Sequence, residues 1–412
     1  MEVINARCCG LDVHKSSITA CILIAEGKAR KRVQRRFGTV TAEIVEVAKW
    51  LDEFGVIQVA MESTGVYWKP IWNLLEDQFE LLLVNAAHIK NVPGRKTDMK
   101  DCEWIAQLLQ HGLLKGSFVP ERSIRELREL NRQRVALIGE RNRVANRVQK
   151  VLEDANIKLS SVASDTLGLS GRNMLEAMIA GEQDAEHLAG MARGLLKRKT
   201  EALRVALEGR VNNHHRFCLK QLLAQYDFLN QQILEFDEEI GRQTAGMTEA
   251  ISLLDTIPGV DAVAARALVA EIGTNMGQFP TAKHCASWAG LCPGNEESAG
   301  KRLNSRIRKG SPWLKRVLVQ AAWAASHAKD TYLRAQFYRL AARRGRKRAL
   351  VAVAHTLLVI AWHVLKRRCT YQELGGNYFE SLHQEQLQRT LVRRLERMGH
   401  QVILVNRPAV TM

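Results

Sequence analysis

The sequence predicts an α/β domain at the N-terminus, a helical arm in the middle and a mostly α domain at the C-terminus. Three observations lead to that expectation. Short apolar runs alternate with helical faces over the first hundred residues, heptad-spaced apolar positions follow, and a new alanine-rich helical texture begins after Ala245. The 412 residues have room for two to four domains at roughly 100–200 residues each. The divisions suggested are 1–115, 116–249, 250–369 and a tail, 370–412. A hydrophobic fraction of 46% with 25% charged residues is that of a soluble globular chain and argues against wholesale disorder. Sixty Lys and Arg against 43 acids leave a net charge of +17, which favours an anionic partner, nucleic acid or a membrane surface.

The elements follow in order. Apolar runs at Cys8–Val13 and Ile18–Ala25, a turn at Glu26-Gly27 and a run at Val33–Phe37 read as a three-stranded antiparallel meander. Residues 41–54 set Ile44, Val47, Ala48, Leu51 and Phe54 on one helical face, with Thr41 as the N-cap. Strand-like runs at Val56–Met61 and Phe79–Val84 flank a helical segment, and a further helix runs from about Thr97 to Gly112. The order βββαβαβα is that of the ribonuclease H-like fold.

A long basic helix is expected from Ser123 to about Leu159, with Leu130, Leu137, Val144 and Val151 seven residues apart. Arg134 and Arg141 half-occupy its other seam. A second heptad run, Leu222, Tyr226, Leu229, Ile233, Phe236 and Ile240, completes an antiparallel coiled-coil arm, used either for packing within the chain or for a dimer contact. Residues 160–215 are placed only as helical. Beyond Ala245, Leu254–Val260 leading into AVAARALVAEIG reads as a helix-hairpin-helix-like turn, or as a plain turn between helices. In the former, backbone N–H groups near Gly259 would face a phosphate.

Some classes drop out. The start, MEVINARCCGLDVHK, lacks the basic-then-apolar pattern of a secretory leader. The eight cysteines show no metal-ligand spacing and read as reduced thiols of a cytoplasmic protein. Ala349–Leu365 is apolar but short for a bilayer and holds His355 and His363, so it reads as a buried helix with basic ends and no membrane partner. The positive charge is concentrated instead. Residues 301–350 hold 15 Lys or Arg and the single acid Asp330, interleaved with Trp313, Trp323, Phe337 and Tyr338. Arginines mounted on packed helices in this way suit phosphate contact.

Four acids form a candidate site. Asp12 closes the first strand in GLDVHK, Glu62 closes a later one in VAMESTG, and Asp98 and Asp101 share a helical face in KTDMKD. Each alone also suits a structural post: a strand end, a turn, an N-cap or a first helical turn. Together, in a basic protein, they make the all-oxygen set that a hard divalent cation requires for phosphodiester chemistry.

These motifs carry a resemblance. GLDVHK, MESTGVYW and KTDMKDCEWIAQLL, with IPGVDAVAARALVAEIG, FPTAKHCASWAGLCPGNEESAGK and IRKGSPWLKRVLVQAAWAA, resemble the insertion-sequence-110-type transposases over about 6–115 and 250–365. The resemblance implies a RuvC-like DEDD domain with Asp12, Glu62, Asp98 and Asp101 as its tetrad holding Mg²⁺ or Mn²⁺. It also implies a C-terminal transposase domain whose serine nucleophile is Ser298, in register after Gly290-Leu291-Cys292-Pro293. Ser305 and Ser311 lie nearby as competitors, and Glu296-Glu297 puts acid beside the nucleophile. Lys301, Arg302, Arg306, Arg308, Lys309, Lys315 and Arg316 would contact nucleic acid. The implied activity is cutting and rejoining DNA strands to move a bacterial mobile element, through a phosphoserine intermediate. The implied partners are donor and target DNA, a structured guide (bridge) RNA and further copies of the chain, as a dimer or tetramer, in the cytoplasm at the nucleoid. The alternative is a structure-selective, metal-dependent nuclease resembling Holliday-junction resolvases, in which Ser298 is incidental. A third reading is a non-catalytic nucleic-acid-binding protein.

Overall fold

The structure, a computed structural model, describes residues 2–27, 29–63, 65–85, 101–294, 296–298, 301–304, 307, 310–382 and 384–403. The chain divides into two compact units, residues 1–122 and 123–412.

In the first unit the chain runs β1 (Arg7–Val13), β2 (Ile18–Glu26), β3 (Ala29–Phe37), α1 (Thr41–Glu53), β4 (Gln58–Glu62), α2 (Trp68–Leu75), β5 (Glu80–Val84) and α3 (Asp101–Gln110). The five strands form one sheet in the order β3-β2-β1-β4-β5, antiparallel from β1 to β3 and parallel from β1 to β5. Alternation along β1 divides the core in two. Cys9, Leu11 and Val13 join the layer of α1 and α2, where Ile44, Val47, Leu51, Ile71 and Leu75 are buried. Cys8 faces the other way, into the layer of α3 with Trp104, Ile105 and Leu108. The mixed sheet with helices on both faces is compatible with the expected ribonuclease H-like domain. One detail differs: Val40 is the N-cap of α1, without a side-chain bond, and Thr41 is already the first helical residue.

The second unit opens with α4 (Arg122–Asp154), continues through α5 (Leu159–Val162), α6 (Leu169–Ala180), α7 (Ala185–Gly190), a 3₁₀ turn (Gly194–Lys199) and α8 (Thr200–Leu207), and returns along α9 (Asn213–Gln243). Ion pairs and amide bonds fix α4 and α9 as antiparallel: Arg134 on Asp237 at 2.5 Å, Arg141 on Asn230 at 3.1 Å and Arg147 on Gln225 at 3.1 Å. The arginines that interrupt the apolar seam of α4 therefore serve as its cross-helix contacts. At the far end, α6, α7 and α8 close a separate core with Val148 and Leu152 of α4 and Leu219 and Leu223 of α9.

Then come α10 (Thr248–Asp255), α11 (Ala262–Ile272), α12 (Ala282–Trp288), the hairpin β6 (Glu296–Ser298) and β7 (Lys301–Asn304), α13 (Pro312–Ala325), α14 (Tyr332–Arg344), α15 (Arg346–Arg367), α16 (Tyr378–Ser381) and α17 (Gln384–Arg397). Helix α15 is long and apolar enough to cross a membrane by length and composition. Here it is the helix on which α10, α12, α13 and α14 pack, with Val353, Leu357, Leu358, Ala361 and Leu365 buried.

Candidate functional site

Parallel pairing brings two of the acids side by side. Leu11 of β1 stands opposite Met61 of β4, so one residue further Asp12 and Glu62 occupy the C-terminal ends of adjacent strands. Alternation gives them the same face. It is the α3 face, because Gly10, two residues before Asp12, lies directly beneath that helix. A β-carbon on Gly10 would stand 2.3 Å from the Cys102 carbonyl oxygen and 2.5 Å from the Ala106 nitrogen. Only glycine allows α3 to come so close to β1, and this seating brings the helix start, Asp101, toward the strand ends. A lateral tie helps. Glu103 of α3, 12% exposed, receives Arg32 of β3 at 2.6 Å.

The electrostatics agree with that arrangement. The Cys102 thiol is held up by its hydrogen bond with Cys21, then by burial, and the nearby charge of Asp12 adds to the push. Asp12 is 24% exposed, and His14 Nε2 lies 3.3 Å from its Oδ2. Burial pushes Cys8 up to about 12 and raises Cys9 as well. These thiols belong to the core and not to the acidic site.

The carboxylates of Asp12, Glu62 and Asp101 are hard oxygen donors and fit a divalent cation of the Mg²⁺ or Mn²⁺ kind in chemistry. Among the described residues, no three His, Cys, Asp or Glu side chains converge into a complete metal cluster. Asp98, the fourth acid expected from the sequence, lies outside the described residues.

The second group of candidates is in the other unit. Ser298 ends β6, with its backbone opposite Lys301 of β7, so the segment that holds it is a β-hairpin. Glu297 stands opposite Arg302 in the same ladder, and a separate, isolated bridge joins Pro293 to Ile307. Ser305, Arg306, Arg308 and Lys309 lie outside the described residues. Ser311 is engaged elsewhere: its Oγ accepts from the Leu314 N–H as the N-cap of α13 and donates to Glu271 Oε2 at 3.1 Å.

Gly259, expected to turn backbone N–H groups toward a phosphate, has a structural reason of its own. Its φ is +85°, and a β-carbon would stand 2.4 Å from the Ala321 carbonyl oxygen of α13. The turn between α10 and α11 is thus seated against α13. Arg316 is exposed on α13, with its guanidinium 5.5 Å from the Trp313 ring, and Lys315 precedes it half-buried. A cleft of about 780 Å³ opens here, walled by Arg132 and Ile138 of α4, Gly259, Val263 of α11, and Trp313 and Arg316 of α13.

A charged cluster that the sequence reading missed lies beside that cleft. Glu271 of α11, 4% exposed, accepts from Arg132 Nε and Nη2 at 2.9 and 3.0 Å. Arg128 donates to the carbonyls of Ala270 and Glu271, and burial pushes it down to about 10. One available signal was Glu271 itself, a lone acid in an apolar helix, matched by two arginines four apart on α4.

Comparison with known proteins agrees with both halves. A DEDD-type transposase family matches residues 9–157, and the family described as Transposase IS116/IS110/IS902 matches residues 251–339. The transposase for insertion sequence element IS1111A of Coxiella burnetii is 23% identical over 377 residues, covering 88% of this chain and 90% of that protein. A protein of Sinorhizobium fredii that carries a transposase name, y4pF/y4sB, is 23% identical over 377 residues, covering 89% of this chain and 86% of its own length.

Proposed function

Because the chain belongs to the IS110-type transposases, enzymes that act on DNA, we propose that it exchanges DNA strands with an acidic set carried by its first unit and a serine carried by its second. The observation that carries this reading is the pairing of Asp12 with Glu62 at adjacent strand ends, on the face where α3 begins at Asp101.

In this reading Asp12, Glu62, Asp98 and Asp101 hold Mg²⁺ or Mn²⁺. A divalent ion bound there supplies Lewis-acid stabilisation of charge on phosphate oxygens. The chain's own residues do the rest. The Ser298 hydroxyl attacks phosphorus, an Oγ–P bond forms, the bond from phosphorus to the departing deoxyribose oxygen breaks, and that oxygen takes up a proton. The serine ester keeps the energy of the broken bond. A hydroxyl of the second strand then attacks the same phosphorus, and Ser298 leaves with its proton restored. Lys301, Arg302, Arg306, Arg308, Lys309, Lys315 and Arg316 neutralise phosphate charge around the hairpin.

The proposal includes a structured guide RNA and association of copies, both on the strength of the family resemblance. Association has one further support: Phe217 and Phe228, three helical turns apart on α9, are 64% and 62% exposed.

Ser298→Ala and Asp12→Ala test the reading on labelled duplex carrying the element boundary. Ser298→Ala is expected to abolish the protein–DNA ester and strand joining, and Asp12→Ala to abolish strand cutting while duplex binding persists. Strand joining by Ser298→Ala at the native rate would refute the serine route, and cutting without any joining by the native protein would favour a metal-dependent nuclease.

A further inference from the structure

We propose that Glu271 is a positioning residue for strand transfer, fixing the base of the serine hairpin through Ser311; this rests on the reading of Ser298 as the nucleophile.

A carboxylate this deeply buried persists only where partners satisfy it. Glu271 has partners on two other elements. Arg132 of α4 occupies both of its oxygens, and the Ser311 hydroxyl donates to Oε2 at 3.1 Å. Arg128 adds bonds to the backbone carbonyls on either side of the Ala270–Glu271 peptide. One side chain therefore ties the arm helix α4, the helix α11 and the first turn of α13 together.

Ser311 carries that tie toward the hairpin. The residue before it, Gly310, lies against the end of α12, where a β-carbon would stand 2.3 Å from the Ala289 carbonyl oxygen. Three residues earlier Ile307 makes an isolated bridge to Pro293, on the two sides of the chain that carries the Ser298–Lys301 pair. The chain entering α13 is thus pinned twice, by Gly310 on Ala289 and by Ser311 on Glu271.

Stability alone does not call for a carboxylate at this place, since well-packed apolar residues serve a buried junction at least as well. What the carboxylate adds is direction. In-line attack needs the nucleophile in near-attack geometry, and a displacement of about 1 Å costs on the order of a hundredfold in rate. Loss of the link should therefore slow ester formation on bound DNA and leave DNA affinity nearly as it was.

The test uses the full-length protein, Mg²⁺ and end-labelled duplex carrying the element boundary, with ester formation followed as label transferred to protein. At saturating DNA, Glu271→Gln and Ser311→Ala are expected to slow transfer by about tenfold or more. The half-saturating DNA concentration should move by less than about twofold. Ser311→Thr keeps both the cap and the hydroxyl donor, so it should restore the native rate; the capping loss in Ser311→Ala alone is read separately by thermal melting. Ser298→Ala is run alongside. Label on that variant would bring down the nucleophile assignment and this proposal with it. A silent Ser298→Ala with native rates in Glu271→Gln and Ser311→Ala overturns the positioning role alone. Should Glu271→Gln fail to fold, the Ser311 pair decides: equal rates for Ala and Thr overturn the proposal.

Discussion

The Cα of Gly10 lies so close beneath Cys102 that a β-carbon there would stand 2.3 Å from the Cys102 carbonyl oxygen. Backbone meets backbone at this point, so no rotamer change relieves a larger residue. Gly10→Ala must lift α3 off the sheet or bend β1, at a cost of about 1–3 kcal/mol or more. Because Asp101 begins α3, the same displacement draws it away from Asp12. The expected result is a lower melting temperature together with loss of metal-dependent cutting. A variant with native melting and native activity would contradict the proposed seating of the acids.

The arm offers a measurement of a single contact. Arg134 and Asp237 are 17% and 37% exposed and meet in a two-bond pair. A double-mutant cycle with Arg134→Ala and Asp237→Ala should give a coupling of about 1 kcal/mol, above an ordinary surface pair. A coupling of zero in chemical denaturation would mean that the arm is held by its apolar seam alone.

His355 makes the second unit acid-sensitive. Burial within α15 depresses its pKa below the ordinary value of 6.5. The unfolded chain therefore binds a proton more readily than the folded one as the pH falls below about 6.5. Stability is full above that value and is lost as the pH drops toward the folded pKa. Urea unfolding at pH 7.5 and 5.5 should show the loss, and His355→Gln should reduce it. An unchanged pH dependence in the variant would assign the effect to other groups.

The eight cysteines are free thiols that differ in access. Cys369 is exposed, Cys218 and Cys292 are half-buried, and Cys8, Cys9, Cys21, Cys102 and Cys285 are buried. A maleimide reagent on the native protein should modify Cys369 first and spare the buried five until denaturant is added. Early modification of Cys102 would indicate that α3 opens readily from the sheet.

Much of the sheet was legible because its strands carry either continuous apolar runs or turn-bounded alternation, as at Ile18–Glu26. The acids were legible for a related reason. A strand that ends in a carboxylate, as β1 and β4 do near Asp12 and Glu62, is conspicuous against apolar neighbours. What escaped were features made by contacts distant in sequence. The helices between 159 and 207 are short, and their apolar faces become a core only when α4 and α9 close over them. Arg134 and Arg141 read as defects in a heptad because their partners lie about a hundred residues away. The hairpin at Ser298 escaped because strands of three and four residues are too short to show an alternating pattern. Thr41 has the chemistry of an N-cap, but the chain turns one residue earlier.

The arm has a built-in unit of length. Between its first two contacts, a step of seven residues forward on α4, Arg134 to Arg141, is matched by seven back on α9, Asp237 to Asn230. Removing seven residues from each helix would keep the remaining side chains within about 20° of their original azimuth and opposite their original partners. The far bundle would move inward by about 10 Å. Removing seven from one helix alone would leave each arginine facing a stranger. The reach of the arm can therefore be changed by a paired heptad with its cross-helix contacts kept, in a step of roughly one nanometre.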